Sequence, residues 1–195
     1  MTEPSNRPVV EEQLVSPSDV AEGLERIAKE IADRDPDQDV CLVAIREGGH
    51  AVAQRLGQMV GRRTGKVVRL GSVDITLYRD DAATALPSPR VGPSHIPFAI
   101  EGARVVLVDD VIYTGRTIRA ALDALLDYGR PRRIELAVVA DRGGREIPVQ
   151  PDYVVAETEV PPGSRVEVVS RGEELEVVRT DGRRSRPPSN ARETP

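Results

Sequence analysis

Hydrophobic positions recur along this chain in two alternating rhythms. After Ser16-Pro17-Ser18-Asp19, a helix start with Ser16 as N-cap and Pro17 in the first turn, Val20, Leu24, Ile27 and Ile31 fall on one helical stripe. Glu22, Glu25, Arg26, Lys29 and Glu30 take the solvated face. Residues 40–45 then form an unbroken apolar run of strand length, closed by Gly48-Gly49, and a second helical stripe follows through Val52, Leu56 and Val60. Further strands are predicted at 67–70 and 73–78. Residues 79–100 hold several prolines, a glycine and no period; a loop of that length inside a compact domain is usually functional or mobile. The rhythm resumes with a strand at 104–108, a helix at 115–128 with Ile118, Leu122 and Leu125 inward, a strand at 134–140, and short closing strands around 154–155, 166–169 and 175–178. Strands alternating with helices predict βαβ units and an α/β fold with a mainly parallel sheet. Polar residues 1–15 are expected to form a loose N-terminal arm, 16–180 the domain, and 181–195 a disordered tail.

Composition changes this picture little. At 195 residues the chain suits one domain, and with 39% hydrophobic but only 3% aromatic residues its core must be built from Val, Leu, Ile and Ala. A net charge of −5 argues against a generally basic nucleic-acid binder while leaving room for a local basic face. The lone Cys41 sits in an aliphatic run and reads as a small buried hydrophobe. With no leader-like apolar stretch and no run of membrane-spanning length, a cytoplasmic protein without a membrane partner is expected. His50 and His95, far apart in sequence, are read as incidental rather than metal ligands.

The chemistry concentrates in residues 105–117, VVLVDDVIYTGRT. An aliphatic strand ends in Asp109 and Asp110, and after a short loop Thr114-Gly115-Arg116-Thr117 opens a helix. Ligands of open α/β sheets bind beyond the carboxyl ends of strands, which is where this order puts the acids. Amides at a helix start favour a phosphate, Gly115 allows close backbone approach, and the hydroxyls of Thr114 and Thr117 add donors. Acids for a diol beside amides for a phosphate describe a 5-phosphoribose. A lone Thr-Gly pair would be no more than a helix cap; the uninterrupted strand, double acid and helix start together make the sharper reading. The GxxxxGK loop of Walker-type sites and the GxGxxG of dinucleotide sites are both absent.

That segment resembles the diphosphoribose-binding motif of type I phosphoribosyltransferases, and in its V-D-D-V-x-Y-T-G-R-T form it is similar to the PyrR family, bifunctional pyrimidine-operon attenuators and uracil phosphoribosyltransferases. The likeness extends in register over about 17–170, through Asp74–Asp81, Asp127–Pro131 and Asp141–Pro148. It implies the type I fold: a mainly parallel sheet flanked by helices, with a small hood and a long flexible loop. It also implies a reaction of uracil with 5-phosphoribosyl 1-diphosphate to give UMP and diphosphate, with Mg²⁺ held mainly by substrate oxygens rather than by protein ligands. By the same resemblance Asp109 and Asp110 take the ribose hydroxyls and, with Arg79 at the base of the closing loop, form the catalytic set. Tyr113, Thr114, Gly115, Arg116 and Thr117 take the 5-phosphate. Arg46, Glu47, Gly48 and Gly49 form the diphosphate loop, where Glu47 departs from the family pattern and would repel diphosphate unless turned outward. Asp141 and Arg142 border the base pocket, with Arg142 within reach of diphosphate. The resemblance further implies contacts to a pyrimidine-operon mRNA leader through Arg26, Lys29, Arg34 and Arg145, although Glu25 and Gly144 depart from the regulatory members. It also implies a homodimer or larger assembly. A non-catalytic nucleotide sensor using the same pocket, and a plain phosphoribosyltransferase without RNA binding, remain the alternatives.

Overall fold

The computed structural model of the chain describes residues 10–46, 48–75 and 94–181. Helix α1 (Pro17–Arg34) begins as its sequence dictates: the Asp19 N–H donates to Ser16 Oγ at 3.2 Å, Pro17 occupies the first turn, and Val20, Leu24, Ile27 and Ile31 are buried. Five strands, β2 (Val40–Ile45), β3 (Arg69–Val73), β4 (Arg104–Ile112), β5 (Arg133–Asp141) and β6 (Tyr153–Glu157), form one parallel sheet in the order β3-β2-β4-β5-β6. Strand order reverses direction around β2 and β4, so the crevice between their carboxyl ends is where a ligand of such a sheet belongs.

The pleat sends alternate residues of each strand to opposite faces. Val40, Leu42, Ala44, Val106 and Val108 join the core under α1 and helix α2 (Gly49–Thr64), whereas Cys41, Val43, Ile45, Val105 and Leu107 join the core under helix α3 (Arg116–Leu126). Covered on both faces, β2 has no exposed side chain, which is why its sequence is continuously apolar. Cys41 is part of that core, and burial pushes its thiol pKa up, away from nucleophilic character.

Three differences from expectation have physical causes. Val10–Val15, expected in a loose arm, is strand β1, paired antiparallel with β8 (Glu174–Asp181), which in turn pairs with β7 (Arg165–Arg171). Its acidic residues mimic a solvated arm, but Glu12 is bonded to Arg179 at 3.0 Å and Glu11 to Arg171, so backbone ladder and charge complementarity stand in for an apolar pattern. The strand expected at 67–70 instead runs through Gly71 to Val73; a Cβ on Gly71 would lie 3.1 Å from the His95 carbonyl oxygen, so the glycine marks a close crossing rather than a break. Residues 94–100, assigned to the long loop, include the fully buried Ile100 and a bridge between His95 and Ser72. Among the described residues no helix is long and apolar enough to cross a membrane.

At the amino ends of the strands lies a buried ionic network with no forewarning in the hydrophobic pattern. Arg104, 1% exposed, donates to Glu135 Oε2 at 2.9 Å, to the Ile31 carbonyl at 2.9 Å and to the Tyr153 hydroxyl at 3.1 Å. The other oxygen of Glu135 takes Arg34 at 3.0 Å and Arg133 at 2.9 Å. Arg34, expected to face RNA, is thereby tied to a buried carboxylate and lies over the Tyr153 ring, 4.9 Å from its centre.

Candidate active site

β4 carries its buried aliphatic run to the carboxyl edge of the sheet and ends it in the two acids. They differ in surroundings. Asp109 is 5% exposed, and its Oδ1 accepts the Asp110 N–H at 3.0 Å. Asp110 is half-buried, accepts the Val111 N–H at 2.8 Å, and faces the turn between β2 and α2. A Cβ on Gly48 would sit 2.2 Å from Asp110 Oδ2, and one on Gly49 would sit 2.1 Å from the Val108 carbonyl oxygen. Both glycines are therefore required by contact with β4, and the two loops assigned by sequence to diphosphate and ribose meet at van der Waals distance. Gly48 has an ordinary right-handed conformation (φ −62°) that any residue adopts, so Gly48→Ala isolates crowding from backbone strain. We expect it to displace the Asp110 carboxylate and lower kcat/KM about tenfold or more with little change in Tm; unchanged kinetics would break the link between the two loops.

Burial, reinforced by the neighbouring Asp110 charge, raises the Asp109 pKa well above the ordinary carboxyl value. A folded pKa above the unfolded one means the fold favours the protonated acid. That contribution is complete below the unfolded pKa and disappears as pH climbs through the folded value. Asp109→Asn, which cannot ionise, is thus expected to raise Tm relative to the native chain at neutral pH and to lose this advantage at about pH 4 and below. Thermal melts across pH test it, and a difference independent of pH would count against the buried acid.

The loop after β4 is the start of α3. Gly115 is its N-cap with φ +88°, a left-handed conformation that favours glycine, and its α-carbon lies against Ile147. The Arg116 N–H reaches Thr114 Oγ1 at 3.4 Å. The first amides of a helix have no partner within it, and with the helix dipole they form an anion site. The turn after β5 backs this loop: the N–H groups of Glu146 and Ile147 donate to the Thr114 carbonyl at 2.9 and 3.1 Å, and the Glu146 carboxylate holds Arg116 at 2.7 Å.

Two arginines of that turn behave differently from expectation. The Arg142 guanidinium, expected to reach towards diphosphate, stacks over the Tyr113 ring at 4.0 Å and donates to the Ser164 carbonyl at 3.1 Å, because a planar cation gains by covering an aromatic face. Its Nε is buried with no hydrogen-bond partner among the described residues. Arg145, expected on an RNA face, is only 13% exposed; its guanidinium serves Asp141 at 2.6 Å, the Tyr113 carbonyl at 2.8 Å and the Val149 carbonyl at 3.0 Å. Sequence reasoning missed this clamp and the Glu146–Arg116 pair; the Arg145–Tyr113 and Arg116–Glu146 bonds each join residues about thirty positions apart and leave no periodic trace.

The remaining assignments scatter. Arg26 and Lys29 lie on the exposed face of α1, bonded to Glu30 at 3.2 Å and Asp33 at 2.7 Å, and Arg26 also donates to the Val154 carbonyl. Glu25 pairs with Arg63 at 2.9 Å and Arg62 at 3.5 Å. His50 and His95, distant in sequence, line one small pocket with Gln54 and Ser72. Arg46 is exposed at the end of β2, whereas Glu47 and Arg79 lie outside the described residues.

This geometry agrees with the comparisons. Residues 12–171 match the phosphoribosyl transferase domain family. The bifunctional protein PyrR of Pelotomaculum thermopropionicum is 47% identical over 165 residues, 84% of this chain and 90% of that protein. The chain belongs to the PyrR family. Another member, from a Roseiflexus species, is 51% identical over 145 residues, 74% of this chain and 79% of its own; that of Bacillus cereus is 47% identical over 152 residues, 76% of this chain and 84% of its own. PyrR proteins share their fold with purine enzymes: the hypoxanthine phosphoribosyl transferase of Trypanosoma cruzi superposes with a TM-score of 0.67 at 19% identity over 90% of this chain and 94% of that one. A hypoxanthine-guanine phosphoribosyltransferase of Bacillus anthracis gives 0.61 at 18% identity, over 75% and 83%. The type I phosphoribosyltransferase fold expected from the sequence is the fold observed.

Proposed function

We propose that the chain joins uracil to 5-phosphoribosyl 1-diphosphate, releasing UMP and diphosphate. In this reading the bond from C1 of the sugar to the diphosphate oxygen breaks, a bond from C1 to uracil N1 forms, and the N1 proton is lost. The observation that carries it is the contact of Gly48 with the Asp110 carboxylate, because the reading assigns that glycine turn to the diphosphate and that acid to the ribose hydroxyls. Residues 113–117 grip the 5-phosphate, and Asp141 with Arg142 borders the base. Catalysis is then orientation plus stabilisation of the positive charge that grows on the sugar as C1–O loosens, for which two nearby carboxylates are suited. Arg79 is assigned to the closing loop by resemblance.

Mg²⁺ fits this donor set, since the hard oxygens of Asp109 and Asp110 stand beside the loop that would hold the oxygen-rich diphosphate. When bound, the cation neutralises charge on the departing diphosphate. An assay for UMP from uracil and 5-phosphoribosyl 1-diphosphate, with and without Mg²⁺, tests the assignment; binding of UMP without turnover would favour a nucleotide sensor using the same pocket.

A second activity is favoured by one observation: the acidic Glu25 is neutralised by Arg62 and Arg63, leaving the α1–α2 surface less repulsive to phosphate than its sequence implies. We accordingly propose UMP-dependent binding to a pyrimidine-operon mRNA leader through the basic set Arg26, Lys29, Arg34 and Arg145, of which Arg26 and Lys29 are the most exposed. Gel shifts across a salt series check it, and salt-independent or absent retardation would leave a plain phosphoribosyltransferase. We further place the protein in the cytoplasm as a homodimer or larger assembly, which sedimentation measures.

A further inference from the structure

Three consecutive carbonyls at the mouth of the phosphate loop are all claimed by the turn after β5. Ile112 accepts the Arg142 N–H at 3.1 Å, Tyr113 accepts the Arg145 guanidinium at 2.8 Å, and Thr114 accepts the N–H groups of Glu146 and Ile147. A planar trans peptide points its C=O and the following N–H in opposite directions. Drawing these three carbonyls to one side therefore turns the amides of Tyr113, Thr114 and Gly115 to the other, away from the turn. Two of the three acceptors are served by backbone amides of the turn, whose direction follows from its own fold. The middle one, Tyr113, is served by a side chain, and that side chain is at the same time bonded to Asp141 and Val149.

The Tyr113 side chain is fixed from the same direction. Its ring lies under the Arg142 guanidinium, and a Cβ at Gly144 would be 2.4 Å from its Cε2, so the turn and the ring fit only because residue 144 has no side chain. The turn at 141–147 and the loop at 113–115 thus form one body joined at backbone and side chain.

We propose that Arg145 is a positioning residue for the phosphoribosyl transfer: it sets the peptide plane at Tyr113 so that the loop's amides converge on the 5-phosphate, and through Asp141 it ties that grip to the base end of the site. The inference rests on the reading of residues 113–117 as the 5-phosphate loop. It gives Arg145 a task in small-molecule binding in addition to any at a nucleic-acid surface, and it explains why an arginine is needed. Three acceptors in three directions match a guanidinium fork, and an ammonium cannot reach all of them.

The test compares UMP with uridine, which differs only in lacking the 5-phosphate. Dissociation constants are measured by calorimetry for the native chain, Arg145→Ala and Arg145→Lys. The native chain is expected to prefer UMP, and Arg145→Ala to weaken UMP about tenfold while leaving uridine nearly unchanged. Arg145→Lys keeps the charge opposite Asp141 and so supports folding, but it still loses part of the preference, which keeps the test decisive if the alanine variant does not fold. Equal weakening of UMP and uridine would make Arg145 a merely structural residue and overturn the proposal, as would unchanged affinity for both. A native chain that does not distinguish UMP from uridine would instead overturn the reading of the loop itself, and the role of Arg145 with it.

Discussion

Replacing Asp109 and Asp110 together by asparagine is expected to lower kcat/KM for UMP formation by about a thousandfold or more, with the fold intact. The two side chains keep their shape and most of their hydrogen-bonding capacity, so the change is chiefly one of charge. In the native chain both carboxylates stand at the carboxyl end of β4, the half-exposed Asp110 beside the glycine turn and Asp109 behind it. In the proposed reaction, a sugar that becomes positively charged as its diphosphate departs is stabilised by these acids more than its ground state is, and that difference lowers the barrier. The double variant should therefore lose rate well beyond any loss of substrate affinity. Thermal melts confirm folding independently, and Asp109→Asn is itself expected to stabilise the protein at neutral pH. Retention of more than about a tenth of the native kcat/KM would remove these acids from the chemistry.

The largest expected effect on stability is at the opposite end of the strands. Glu135→Gln leaves the buried Arg104 guanidinium without its counter-charge, and breaking one partner of such a pair costs about 3–5 kcal/mol. The Glu135 carboxyl is fully buried and is shared among Arg104, Arg34 and Arg133, so a neutral amide replaces several charge-assisted bonds at once. Urea unfolding measures the loss. The double variant Arg104→Met with Glu135→Leu should be less damaged than the single one, because removing both charges also removes their desolvation. If Glu135→Gln cost less than about 1 kcal/mol, the network would be decorative. The carboxyl edge with the proposed site is distant along the same strands, so residual folded protein should keep its turnover.

Much of this was legible in the residues. The parallel sheet follows from the doubly buried runs of β2, β4 and β5, and α1 from its cap and stripe. The adjacency of Asp109-Asp110 to a helix start is a local pattern that a strand–turn–helix segment fixes by itself. Illegible features were those carried by contacts between distant residues. β1 hid because an edge strand held by backbone pairing and by Arg171 and Arg179 needs few apolar side chains. The buried pair of Arg104 and Glu135 left no mark in the pattern, since burial of an ion pair depends on what packs over it. The two glycines at 48–49 were visible as a turn, but their reason, the backbone of Val108 and the carboxylate of Asp110 pressed against them, is visible only in three dimensions. The bonds of Arg145 within the fold were hidden for the same cause: basic residues in a polar turn look alike in sequence whether they face outward or lock a loop from within.

The pairing of β1 with β8 has a topological consequence. Val10 stands opposite Asp181, so the first and last described residues are neighbours on one rim. Residues 10 and 181 thus bound a nick in the described body. A short peptide bridging that nick would close the circle without moving any strand, and new ends opened in an exposed connection elsewhere would leave the same architecture in a rearranged chain order.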